Sequence, residues 1–137
     1  MSDIGAATRA KLLATSGVST LLGARVYPDR LPQGATLPAA VYHLISLQEE
    51  VDLAGLTGVG HARVQVDAWA ATRLAANALA LAIRDALATS GGRGTWGTVY
   101  VSGCVPTNER YDTQEQGDGS DEPRYITQRD FLISFNG

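Results

Sequence analysis

Between Gly60 and Leu87 the hydrophobic period of the chain changes from two to nearly four at a single point, and this restricts the fold more than any other feature. From His61 to Trp69 the residues alternate. His61, Arg63, Gln65, Asp67 and Trp69 fall on one face, and Ala62, Val64, Val66 and Ala68 on the other, the pattern of a half-buried strand. Thr72 then stands where a helix N-cap belongs, and Ala76, Leu79, Ile83 and Leu87 form one stripe of a helix that is otherwise largely alanine. Small side chains let a helix lie close to a sheet, so Val64, Val66 and Ala68 are expected beneath it. The opposite, polar face is left needing a partner.

The rest of the chain divides in the same way. Ser2 or Asp3 can cap a first helix carrying Ile4, Ala6, Ala10, Leu13 and Ala14, which Gly17 is placed to end; a short helical turn through Leu21 and Leu22 then stops at Gly23. Pro28, Pro32, Gly34 and Pro38 make Arg25 to Pro38 an extended, ordered loop. Ala39 to Gln48 alternates with apolar residues on both sides, as expected of a strand interior to a sheet. Gly55, Gly58 and Gly60 make Glu49 to Gly60 a hairpin connector with a long tip. Thr98 to Pro106 and Tyr125 to Phe135 are the third and fourth strands, the latter with Tyr125, Thr127, Arg129, Phe131, Ile133 and Phe135 toward the core. The fold class expected is therefore α+β: a two-layer domain with a mostly antiparallel four-stranded sheet packed by two helices, in the order helix, strand, strand, helix, strand, strand.

Between the last two strands, Asn108 to Arg124 carries Glu109, Asp112, Glu115, Asp118, Asp121 and Glu122 with Tyr111 as its one strong apolar residue. Such a segment is expected to be mobile in the isolated protein. The remaining 1–137 chain reads as a single domain, long enough to bury roughly two-thirds of its unfolded surface.

Composition excludes several functions. A net charge of −3 with no Lys/Arg cluster disfavours tight nucleic-acid binding. Cys104 is the single cysteine, so no internal disulfide can form, and its valine-rich setting is that of a small buried apolar residue. No basic leader and no membrane-length apolar run is present, which points to a protein made and kept in a cytoplasm. His43 and His61 can be set beside Asp67 as a metal or acid-base site, but the two histidines lie on separate strands without ligand spacing of a recognised kind. The glycines Gly91, Gly92 and Gly94 follow a helix instead of preceding one, so they do not form a phosphate cradle. No catalytic residue, cofactor or metal is assigned.

What remains is contact surface. Arg63, Gln65, Asp67 and Trp69 combine an aromatic, an arginine and polar groups of the kind interfaces select. Arg25, Tyr27, Arg30 and Gln33 sit on a proline-stiffened loop that loses little entropy on binding. Glu109, Tyr111 and Asp112, at the start of the acidic segment, complete the candidate interface.

Three stretches carry a family resemblance. LLGARVYP from Leu21 to Pro28, continuing through Pro32, Gln33, Gly34, Ala35 and Pro38 into AVYHLIS, VQVDAWA from Val64 to Ala70, and the closing RDFLISF from Arg129 to Phe135 resemble the small tail-completion or tail-terminator proteins of long-tailed bacteriophages and gene transfer agents. The resemblance runs over nearly the whole chain. It implies a structural virion protein, six copies of which form a ring that caps the head-proximal end of the tail tube and ends its polymerisation. The partners it implies are further copies of itself, the tail tube protein, and a head-tail connector or head-completion protein, with DNA passing through the lumen without specific binding. Another head-tail joining protein or a tube subunit is the nearest alternative, and a small-molecule enzyme using His43, His61 or Asp67 a more distant one.

Overall fold

The computed structural model describes residues 3–114 and 123–136. The Asp3 carboxylate accepts the Ala6 amide at 3.1 Å and opens α1 (Ile4–Ala14). Thr15, extended at φ −96° and with its hydroxyl donating to the Lys11 carbonyl at 2.8 Å, interrupts the helix for one residue. Then α2 (Ser16–Leu22) follows, stopped by Gly23 at φ +58°. The first helix therefore does not end at Gly17, which lies inside α2; a glycine in a first turn costs little when the preceding residue already supplies the break.

Strand β1 (Val26–Pro28) lies within the segment expected to be loop, and pairs in parallel with β2 (Ala39–Asp52) from Val26 and Ala40 to Pro28 and Tyr42. A three-residue edge strand tolerates Pro28, since only one side of it must donate. β2 turns at Leu53 and Ala54 into β3 (Gly55–Ala70), and the two stay paired nearly to the tip through Asp52 and Gly55. The expected long connector is thus mostly ladder. Gly55 at φ +115° and Gly58 at φ +87° take backbone conformations that other residues resist.

Thr72 caps α3 (Arg73–Ala88), its hydroxyl accepting the Ala75 amide at 3.1 Å. A 3-10 turn over Thr89–Gly92 leads to β4 (Gly94–Trp96), β5 (Val99–Gln114) and β6 (Arg124–Asn136). Among the described residues these strands form one six-stranded sheet in the order β1-β2-β3-β6-β5-β4, antiparallel except for β1 with β2.

This corrects the four-stranded, two-helix layout. The added strands β1 and β4 have three residues each, too few to show a period, and they exist because longer neighbours offer them an edge. The added helix α2 was legible only as a turn. Asn108 to Gln114, expected in the mobile segment, instead extend β5 against β6 from Asp130 to Arg124. Residues 115–122 of that segment lie outside the described residues.

The core is where the change of period placed it. Ala62, Val64, Val66 and Ala68 of β3 are at most 2% exposed, and they cluster with Phe131, Ile133 and Phe135 of β6 and Leu79, Ala80, Ile83 and Leu87 of α3. Each large side chain so buried contributes about 2 kcal/mol. Trp96 of β4 closes one edge of the core, its indole N–H donating to the Gly92 carbonyl at 2.9 Å. β2 is interior only over its first residues. Past Tyr42 its outer edge has no strand partner among the described residues, and Leu44, Ile45, Leu47 and Val51 are exposed.

Candidate interaction site

The face of the sheet away from the helices carries a hydrogen-bonded network that spans four strands. Register brings Gln65 of β3 opposite both His43 of β2 and Asp130 of β6, and sets Asn108 of β5 beyond Asp130. Asp130, 3% exposed, accepts from Arg110 through both oxygens at 3.0 and 3.2 Å and from Arg63 at 3.2 Å. Arg110 also donates to Gln65 Oε1 at 2.8 Å; Gln65 Nε2 donates to Asp67 Oδ1 at 2.8 Å; and His43 Nε2 lies 3.0 Å from Asp67 Oδ2. Two buried carboxylates thus hold two arginines, an amide and an imidazole in fixed positions, as burial of charge demands.

Of the expected contact residues on β3, Arg63, Gln65 and Asp67 therefore have partners within the chain. Trp69, half-buried, lies under the Arg124 guanidinium, 5.3 Å from ring centre to Cζ. Neither Trp69 Nε1 nor Arg124 Nε has a hydrogen-bond partner among the described residues. These two close one side of a pocket of about 270 Å³ on this face, whose other lining residues are Asp29, Arg30, Leu31, Val41, His43, Asp67 and Gln114.

The loop residues divide. Arg25 is used internally, donating to the Pro38 carbonyl at 2.8 Å and the Leu21 carbonyl at 3.2 Å, while Tyr27 lies in β1. Arg30 is exposed at the pocket mouth, and Gln33 is exposed on the loop beyond it. On β5, Glu109 pairs with Arg129 at 2.8 Å and accepts from the Tyr111 hydroxyl at 2.6 Å, a bond that raises the tyrosine pKa. The Asp112 carbonyl accepts from Arg73, at the start of α3, at 2.6 Å. Glu109, Tyr111 and Asp112 thus lie together on β5, two to five residues before Gln114, which lines the pocket.

Sequence reading missed Arg110, Asp130 and Arg124. Each of these last two directly follows another charged residue, Glu109 or Arg129, and their pairing depends on a register shift between Pro106 and Asn108 that no local signal announces.

The pocket joins His43 to Asp67, as the enzyme alternative required, but not His61, which bonds Glu50 at 2.8 Å and Ser134 at 2.9 Å. Among the described residues its lining holds no serine, threonine, cysteine or lysine, so the His43–Asp67 pair has no hydroxyl, thiol or amine nucleophile beside it there. Among the described residues no three of His, Cys, Asp and Glu are grouped to hold a metal ion. Cys104 is buried, and burial pushes its thiol pKa from 9.0 up to about 12, which leaves it protonated and unreactive.

The family model described as "Tail completion protein gp17" matches residues 6–104, from α1 to the middle of β5. The chain belongs to this family. The match includes two of the stretches that carried the resemblance, LLGARVYP and VQVDAWA, and the family read from them is the one found. A solved chain described as "Virion of native gene transfer agent (GTA) particle" has the same fold, with a TM-score of 0.71 over 98% of this chain and 95% of that one, at 20% identity. No curated protein matches the chain. Family membership makes the protein a structural component of a phage-type tail.

Proposed function

We propose that this tail-completion protein closes, in several copies, into a ring on the head-proximal end of the tail tube, ends tube polymerisation there, and presents a surface to the head-tail connector or a head-completion protein. The ring is a hexamer by the resemblance stated above. The observation that carries the reading, beside family membership, is the outer edge of β2, which among the described residues has no strand partner past Tyr42 and exposes Leu44, Ile45, Leu47 and Val51. Soluble proteins blunt or cover such edges, because an unpaired apolar strand recruits another chain. A contact between two different surfaces, repeated by rotation, closes a ring.

The net charge of −3 suits a lumen through which DNA passes without adhering, since phosphate contacts need cations. The role is structural and non-enzymatic, and it places the protein in the virion after assembly in the host bacterial cytoplasm. The nearest competing reading, another joining protein or a tube subunit, uses the same exposed edge; position in the particle separates them. Deleting the gene and measuring tails by electron microscopy tests the proposal. Overlong tails with loss of infectivity or particle transfer are expected, and tails of normal length would refute the capping role.

A further inference from the structure

The sheet has two long edges, and both stand largely open. β1 covers β2 only at residues 40–42 and β4 covers β5 only at residues 99–101, so among the described residues β2 from His43 and β5 from Ser102 have no strand along their outer sides. No loop backbone bonds to either stretch there. Three antiparallel pairings separate β2 from β5, so the two edges run in opposite directions within one molecule. Each edge is blunted over part of its length, β2 at Glu49 and Glu50 beside a bulge, and β5 at Pro106 beside another. Residues 44–48 and 110–113 lie clear of these devices.

In an antiparallel ladder successive residues turn their N–H and C=O groups to opposite sides. On β2 the Ala40 amide donates outward to the Arg25 carbonyl and the Tyr42 carbonyl accepts from Asp29, so Leu44 is also outward and, after the extra residue Ile45 in its bulge, so is Leu47. Carried across β3 and β6, the same alternation makes Tyr111 and Thr113 the outward residues of β5. All four side chains share the helix side, since Leu44 and Leu47 pair with Val64 and Ala62, and Tyr111 and Thr113 stand in line with Ala68 and Ala70. Leu44, Leu47 and Tyr111 are exposed there.

The geometry points to a second copy of this chain as the partner: β5 of one copy pairs antiparallel along β2 of the next, Thr113 with Leu44 and Tyr111 with Leu47, with Ile45 left in its bulge. Face and hydrogen-bonding direction agree at both pairs. Ser46 and Gln48 then meet Asp112 and Arg110 on the opposite face, with no like charges opposed. A slip of two residues one way sets Thr113 against Tyr42, where β1 already lies. Past Gln48, Glu49 meets Glu109, and like charges end the joint. This rests on the ring reading above and deepens it by naming the surfaces that meet. Two different edges join, so the contact is heterologous, and a closed ring uses both edges of every copy.

Ser46 and Asp112 are exposed and face each other across this joint at the closer, non-hydrogen-bonded spacing, so Ser46→Cys with Asp112→Cys is the pair to oxidise in assembled particles. Cys104 is buried and does not compete. A ladder of disulfide-linked multimers on a non-reducing gel is expected from the double variant, and none from either single variant. Dimers from Ser46→Cys alone would overturn the proposal in favour of a two-fold contact between β2 edges. No ladder from particles that hold several copies would overturn the joint while leaving the ring standing, and particles with a single copy would overturn the ring reading as well. Leu47→Pro tests the backbone separately, because it removes an outward N–H and leaves the bonds between β2 and β3 in place. It is expected to keep the circular dichroism of the unaltered protein and to be missing from tails; incorporation at the unaltered copy number would overturn the proposal.

Discussion

Arg110 reaches across from β5 to hold both carboxylate oxygens of Asp130 on β6, at 3.0 and 3.2 Å, and from there touches Gln65 of β3 at 2.8 Å. Asp130 is buried while its two arginine partners keep about two-fifths of their side chains in water, 43% for Arg110 and 41% for Arg63. Removing the carboxylate strands two cations against a dry centre without a counter-charge. Asp130→Ala is expected to destabilise the fold by about 3 kcal/mol, read from urea unfolding, and Asp130→Asn by less, since it keeps an acceptor. Equal stability of Asp130→Ala and the unaltered protein would show the network to be a passive surface feature.

Arg73, the first residue of α3, ties the far end of the sheet together. It donates to the Ile126 carbonyl at 2.8 Å, the Thr127 hydroxyl at 3.0 Å and the Asp112 carbonyl at 2.6 Å, and lies against the rings of Tyr111 and Tyr125. Arg73→Ala is expected to speed amide hydrogen exchange at least about tenfold in the ladder between Tyr111–Gln114 and Arg124–Thr127, which corresponds to about 1.4 kcal/mol of local stability. The β2–β3 hairpin serves as the internal reference and should not change.

Gly60 has no room for a side chain. A Cβ there would lie 2.6 Å from the tip of the Phe135 ring, which is itself fully buried. Gly60→Ala is expected to cost about 1–3 kcal/mol through overpacking, with a fall in melting temperature. The double variant Gly60→Ala with Phe135→Leu should recover part of the loss by opening the space, a non-additivity that a backbone effect of alanine would not produce.

Cys104 links stability to alkaline pH. Its thiol ionises near 9.0 when unfolded and near 12 when folded, because burial disfavours the thiolate. The folded state therefore holds the proton more tightly, and this contribution is complete below pH 9 and lost as pH rises toward 12. Cys104→Ala should flatten the decline in stability across that window. At pH 8 the thiol of the folded protein should resist alkylation and react only when denaturant is added; fast labelling of the native protein would contradict its burial.

Local pattern carried most of the interior. The alternation from Ala62 to Ala68, the Thr72 cap and the stripe from Ala76 to Leu87 are each set by short-range rules, and all three lie where those rules put them. The aromatic row Phe131, Ile133 and Phe135 faces the core for the same reason. Short edge strands were not legible: Val26–Pro28 and Gly94–Trp96 are too brief to show a period and acquire strand geometry only from a neighbour. The Thr15 break between α1 and α2 was hidden too, since Gly17 was the stronger stop signal on composition and a side-chain bond to the Lys11 carbonyl decided the matter.

The candidate site divides along the same line. Which residues of β3 turn away from the helix follows from a period of two, so Arg63, Gln65, Asp67 and Trp69 could be placed on one face from the amino acids alone, and the tail-completion family from short ordered motifs. What those residues touch depends on partners up to 67 positions away, as in the bond from Arg63 to Asp130, and on ladder registers that bulges shift by one residue. Only the folded sheet settles such pairings, because a register is the joint outcome of two strands and of everything packed against them.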